Sequence, residues 1–253
     1  MEDDIFFMVL DSARFDTFQE AKAPHMKAVG PLEKVHSPAC WTTPSIISYM
    51  LGIPPLGACR QKRDYLFPGY SKRLAWAPKF YQEQGYFTVW LSPNPVPQHF
   101  NIELEGTFRK YFNFYKVDGY PEGSAIPEIT KNMAALVLHT RKTPLFLSLL
   151  LMETHSPYFN GRSRLWTDPH NPRMNFIYQR MAIEWIDHWF PKLLQPFKNM
   201  NRNVHVIITS DHGELLGPTN FGHDPSDEAV DFQEDLFTIP LIRGFEKYGS
   251  ERP

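Results

Sequence analysis

The chain has 253 residues with 42% hydrophobic and 15% aromatic content, enough apolar material for one large α/β domain or two small ones. A formal net charge of −2 gives no electrostatic footprint for nucleic acid or an anionic membrane. No apolar run reaches the roughly 20 residues that span a bilayer, and the longest, "PLFLSLLLM" at 144–152, fits a core strand.

Taken in order, the chain opens on "MEDDIFFMVLD", which has no basic segment, h-region or small-residue cleavage site of a secretory signal. The two cysteines, Cys40 and Cys59, make no disulfide framework. The expectation is a cytoplasmic protein. Strands are predicted near 5–10, 87–92, 144–152, 204–210 and 236–242, and helices near 43–52, 72–84, 126–140 and 173–198. The last helix carries Ile177, Met181, Trp185 and Trp189 four apart as one apolar stripe, with Pro191 and Pro196 expected to kink or interrupt it. Asp187 and His188 in that helix diverge by about 100° and cannot share an ion, so His188 reads as surface or packing. Polar connections at 93–107, 155–172 and 213–235 read as functional loops on a single domain spanning 1–253. Alternating strands and helices predict an α/β fold with a mainly parallel central sheet and helices on both faces.

The chemistry-bearing residues fall at predicted strand ends. Asp11 follows the first strand, and Asp211 and His212 follow "NVHVIITS". In open α/β sheets ligands bind outside the carboxyl ends of the strands. Two carboxylates and an imidazole make a ligand set for a borderline divalent ion such as Zn²⁺ or Mn²⁺. An Asp after a strand also serves as a turn former or helix cap. In "HSPACWTTPSIISYMLG" a loop enters a helix, and Thr42 or Thr43 would stand among free backbone N–H groups that suit a phosphate or sulfate. The bland alternative is a threonine N-cap. Arg14 and Asn94 are candidates for contacting an anion, with a salt bridge and a turn as their structural alternatives. Tyr158 and Phe159 are candidates for lining a pocket.

The ordered set "VLDSARFD", "WTTPS", "GYFTVWLS", "METHSPY", "TSDHGE" and "FGHD" resembles the sulfatase-like branch of the alkaline phosphatase superfamily, from Ile5 to about Ile242. The resemblance implies Asp11, Asp211 and His212 as ligands of one ion, touched by Thr42 as the nucleophile. It implies His155 and His223 as substrate-side histidines, with a second ion open through His223. It implies a metal-dependent hydrolase or transferase acting on a small-molecule, lipid or glycan phosphate ester. A sulfatase or phosphonate-ester hydrolase, and a catalytically weak binding domain, are the alternatives. The sequence departs from sulfatases in having Ser12 after Asp11, no cysteine or serine at position 42 for formylglycine, and no arginine after Ser45. It is also short for a sulfatase and lacks a clear carboxy-terminal subdomain.

Overall fold

A computed structural model of the protein describes residues 2–54, 76–94, 109–117, 123–223 and 233–249. The expected loop at 93–107 lies almost wholly outside these residues, as do Cys59, His99 and the first part of the helix expected at 72–84. In chain order the elements are β1 (Asp4–Leu10), α1 (Phe15–Glu20), α2 (Pro24–Ala28), β2 (Leu32–His36), α3 (Thr42–Leu51), α4 (Ala77–Glu83), β3 (Phe87–Ser92) and β4 (Phe114–Val117). There follow α5 (Ile126–His139), β5 (Leu145–Leu151), β6 (Tyr158–Phe159), β7 (Arg164–Leu165) and α6 (Pro172–Asn199). The chain then forms β8 (Val204–Ser210), β9 (Leu215–Leu216), β10 (Phe221–Gly222), α7 (Glu234–Phe237) and β11 (Thr238–Glu246).

The main sheet has seven strands in the order β2-β11-β8-β1-β5-β3-β4. β1 pairs in parallel with both β5 and β8, and β3 pairs in parallel with β5 and β4. β11 runs antiparallel to both of its neighbours, β8 and β2. The α/β fold with a mainly parallel sheet is therefore observed. Side chains alternate across each strand, and the strands use both faces. Phe6, Met8 and Leu10 of β1 and Leu145, Leu147, Leu149 and Leu151 of β5 join one core with α1, α2, α5 and α6. Val9, Phe146, Leu150 and Trp90 join the other with α3, where Ile46, Ile47 and Met50 face inward.

Several expectations are corrected. The final strand begins at Thr238 and runs to Glu246, because residues 234–237 form the short helix α7. β2 and β4 were not foreseen. Both are short edge strands, and none of their residues is fully buried, so neither carries the apolar run that marks a core strand. α6 continues through Pro191 and Pro196 as one helix of 28 residues. Each proline removes one i→i−4 hydrogen bond, but Phe190, Leu193, Leu194 and Phe197 pack into the core on either side and hold the axis. The buried face of α6 is Asn175, Gln179, Ala182, Ile183, Ile186 and Phe190, whereas Ile177, Met181, Trp185 and Trp189 are its half-buried flank. Asp187 is buried and accepts from the backbone N–H of Met26 at 2.7 Å, holding the start of α2. His188 is exposed and stacks on Trp185.

The end of the sheet opposite the functional loops is fastened by a buried ion pair. Arg202 donates from Nε to Asp4 at 2.7 Å and makes a second bond to the same carboxylate through its terminal nitrogen. The remaining N–H groups reach the carbonyls of Val137, Thr140 and Thr143 at 3.2, 3.0 and 2.9 Å. Asp4 also accepts from the N–H of Leu145 at 2.8 Å, so one carboxylate ties β1, β5 and the turn before β8. Breaking a buried pair by removing one partner costs about 3–5 kcal/mol because the other charge stays buried. Arg202→Met should therefore lower unfolding stability by about that amount, read from urea melts, while leaving metal binding by the folded protein unchanged.

Candidate active site

The parallel register of β1 and β8 pairs Leu10 with Ser210. The next residues, Asp11 and Asp211, therefore leave adjacent strand ends side by side, and both are fully buried. Burial raises the carboxyl pKa of Asp11, and the charge of Asp211 raises it further. Burial likewise raises Asp211, against the pull of the Thr42 hydroxyl and of N–H donors from Ser12 and His212. Those donors are short: Ser12 N at 2.9 Å and His212 N at 2.8 Å, both to Oδ1. Asp211 Oδ2 is buried without any hydrogen-bond donor.

His212 completes the cluster. Its Nδ1 lies 2.7 Å from the carbonyl of Gly213. A carbonyl only accepts, so Nδ1 carries the proton and Nε2 keeps its lone pair. That Nε2 lies 3.5 Å from Asp211 Oδ2, 3.8 Å from Asp11 Oδ1 and 3.4 Å from Thr42 Oγ1. Burial, with the charge of His223, pushes the His212 imidazole down to about 3, so it is neutral at physiological pH. One ligand atom from each of Asp11, Asp211 and His212 lies within 4.8 Å of the others. Among the described residues this is the one such group of three. Two buried carboxylates, a neutral imidazole lone pair and an undonated oxygen suit a divalent cation.

Thr42 is brought to this cluster by α3. Its first turn receives no side-chain cap from Trp41, so its first backbone N–H groups are not taken by a capping side chain. Two contacts hold α3 and its entry loop to β8: Tyr49 donates to the Ser210 carbonyl at 2.8 Å, and Ser37 Oγ donates to the Asp211 carbonyl. Gly213 allows the loop after β8 to pass α7. Its N–H reaches the Leu236 carbonyl at 2.7 Å, and a Cβ added there would stand 1.8 Å from the Asp235 carbonyl oxygen.

The remaining predicted residues are placed as follows. His155 lies in the loop after β5, with Nδ1 donating to the Ser156 carbonyl at 2.6 Å and its ring 5.3 Å from that of His223. His223 lies 4.3 Å ring to ring from His212 and 3.0 Å, through Nδ1, from Glu214 Oε1. Burial opposes charge on His223, but Glu214's charge and hydrogen bond, with Asp11 and Asp211, carry it up to about 9. Burial would lift Glu214, yet His223 holds it below the usual carboxylate range. Asn94 donates to Asp11 Oδ2 at 2.6 Å and so orients a carboxylate. Arg14 is engaged by Asp16 at 2.6 Å, Asp235 at 2.9 Å and the Glu214 carbonyl at 3.1 Å. Tyr158 is fully buried on β6 in a small core with Ala182 and Leu216, away from the ligand cluster.

Three residues were missed by sequence reasoning. Glu214 follows Asp-His-Gly directly and was within reach of it. Ser12 adopts φ 62°, a left-handed conformation, and its hydroxyl donates to Asp11 Oδ1 at 3.0 Å. Gln179 comes from α6 and has no local signal.

Comparison with known proteins decides the family. The sequence profile described as Sulfatase matches residues 32–243. The chain belongs to the sulfatase family. No curated protein sequence matches it. Among solved structures it resembles the C-terminal periplasmic domain of EcEptC from Escherichia coli at 15% identity and TM-score 0.69, covering 97% of this chain and 73% of that one. The same domain in complex with Zn aligns at 15% identity and TM-score 0.67, covering 98% and 74%. The lipoteichoic acid synthase LtaP from Listeria monocytogenes aligns at 11% identity and TM-score 0.65, covering 99% and 67%. The putative sulfatase yidJ from Bacteroides fragilis aligns at 15% identity and TM-score 0.63, covering 96% and 68%. These likenesses establish the fold. The expectation of a cytoplasmic protein draws no support from them, since the EptC domains are periplasmic. Among the described residues no helix is long and apolar enough to cross a membrane.

Gly213→Ala tests the packing of this loop. The added methyl should displace α7 from the strand end, cost about 1–3 kcal/mol of stability, and weaken metal binding, measured by thermal unfolding and metal titration of the same preparation.

Proposed function

We propose that this sulfatase-family chain is a metal-dependent hydrolase or transferase of phosphate esters, with Thr42 as its nucleophile. The observation that carries the reading is Thr42 Oγ1 lying 3.4 Å from His212 Nε2, at the edge of the Asp11–Asp211–His212 cluster and at the start of α3. Asp11, Asp211 and His212 would hold one ion, Zn²⁺ or Mn²⁺, with Thr42 Oγ1 beside them. The zinc complex of a structural relative favours Zn²⁺. When bound, such an ion supplies Lewis acidity that lowers the hydroxyl pKa and offsets phosphoryl charge.

The chain's own residues then divide the work. The start of α3 directs backbone N–H groups at the phosphoryl oxygens and aligns Thr42 for in-line attack. The Thr42 hydroxyl gives up its proton to solvent, and its Oγ–P bond forms as the P–O bond to the leaving group breaks. His223, kept protonated by Glu214, presents Nε2 as the general acid for the leaving oxygen, and His155 stands beside it with an Nε2 lone pair that accepts. The deprotonated His223 then takes a proton from the water or alcohol that releases the phosphothreonine. A small-molecule, lipid or glycan phosphoester fits this scheme, and the relatives named as phosphoethanolamine transferase and lipoteichoic acid synthase support it.

The family match also favours a second reading, action on sulfate. Against it stands the residue at position 42, a threonine that cannot become formylglycine.

Metal content by elemental analysis and turnover of bis-p-nitrophenyl phosphate test the proposal together. Wild type should carry about one transition metal per chain, as four-ligand sites do. Asp211→Ala should lose metal and activity, and Thr42→Ala should keep metal while losing activity. Activity on sulfate but not phosphate esters would turn the reading to a sulfatase. Full metal with no turnover on either panel would leave a binding domain. Glu214→Gln should lower kcat about 10–100-fold, the usual range for losing a partner that orients a site group, with metal retained.

A further inference from the structure

Gln179 stands out on the inward face of α6. It is fully buried, and the inward residues one to three turns on include Ala182, Ile183, Ile186 and Phe190. An amide among apolar neighbours needs all its hydrogen bonds, and this one has them. Nε2 donates to the carbonyls of Ser12 at 2.9 Å and Thr154 at 3.3 Å. Oε1 accepts from the backbone N–H of Arg14 at 3.3 Å and from Thr17 Oγ1 at 2.6 Å. The carbonyls can only accept and the Arg14 N–H can only donate, so the amide orientation is fixed by its partners.

What those partners do gives the residue its role. Ser12 donates its N–H to Asp211 and its hydroxyl to Asp11. Thr154 donates its hydroxyl to the Asp11 carbonyl at 2.7 Å and directly precedes His155. Gln179 thus grips Ser12, which holds both carboxylates, and Thr154, which holds the backbone carbonyl of Asp11. Asn175, one turn earlier and equally buried, bonds the carbonyls of Asp168 and Leu216 and touches neither strand end.

We infer that Gln179 is a positioning residue that fixes the Asp11 and His155 loops relative to each other, and through them sets metal affinity and turnover. The inference rests on the metal reading of the site. Outer residues that orient metal ligands change affinity or activity about 10–100-fold when removed. The side chain of methionine matches glutamine in length but offers no amide, so Gln179→Met removes the grip with little change in volume.

The test measures Zn²⁺ and Mn²⁺ affinity by competition with a chromophoric chelator, and kcat and KM on bis-p-nitrophenyl phosphate. Gln179→Met should bind metal about 10–100-fold more weakly and lose kcat in the same range, with KM unchanged. Ile183→Ala, a core truncation one turn along the same helix, should lower stability while leaving both readouts at wild-type values. If Gln179→Met does not fold, Thr17→Val carries the test. It removes the hydroxyl that orients the amide and should weaken metal binding in the same direction. Wild-type metal affinity and kcat in a folded Gln179→Met, or in Thr17→Val where that variant carries the test, would overturn the inference. So would an equal loss in Ile183→Ala, which would reduce the role to general stability. Asp211→Ala serves as the reference. If it loses metal while Gln179→Met keeps it, this inference alone fails; if it keeps metal, the metal reading fails and takes this inference with it.

Discussion

Two carboxylates buried against each other are the constraint around which this protein is arranged. Parallel pairing of β1 with β8 leaves Asp11 and Asp211 at neighbouring strand ends, where neither meets water. Like charges in that setting repel strongly. The surroundings answer with positive ends of dipoles: the N–H of Ser12, the N–H of His212, the amide of Asn94. Even the imidazole of His212 is turned by the Gly213 carbonyl so that it offers a lone pair. A group of this kind is where we propose a cation, and the start of α3 beside it is where we propose an anion. The combination suits an anionic ester whose charge must be held while a bond is exchanged.

The architecture supplies rigidity to this arrangement from both faces of the sheet. α3 covers one face and delivers Thr42, fixed by Tyr49 and Ser37 to the end of β8. α6 covers the other and delivers Gln179 beneath the loops. Asp11, Asp211 and His212 themselves are on loops, but each loop is hydrogen-bonded to an element whose apolar face is locked in a core. Ser12 in a left-handed conformation carries a cost of about 1–3 kcal/mol, which its bonds to Asp11, Asp211 and Gln179 offset.

Much of this was legible in the sequence, and the reasons are physical. β8 could be read because "VHVIIT" is an apolar β-branched run, and β5 because it is buried on both faces. Strand ends followed by Asp, or by Asp-His-Gly, pointed to the meeting of Asp11, Asp211 and His212, since the strand-end rule converts a local pattern into a place. The edge strands β2 and β4 escaped because an edge needs no such run. The true face of α6 escaped because it includes Asn175 and Gln179, which a hydrophobicity pattern treats as exposed. Roles defined by long-range partners were equally hidden. Arg14 reads as a cation available to an anion, yet its guanidinium is taken by Asp16 and Asp235. Tyr158 follows His155 by three residues, but the hairpin of β6 and β7 turns it into a core.

The position of β1 in the sheet has a consequence for how the protein is made. Its two neighbours, β5 and β8, are both later in the chain, and the bond from Ser12 to Asp211 spans 199 residues. During synthesis β1 emerges before both of them and remains an open apolar edge on both sides until β5 arrives. It stays open on one side until β8 follows the whole of α6. An exposed, regular, apolar strand is a template for pairing with another chain. The centrality that buries the two carboxylates so completely in the finished molecule therefore leaves an apolar strand without partners until the later strands are made.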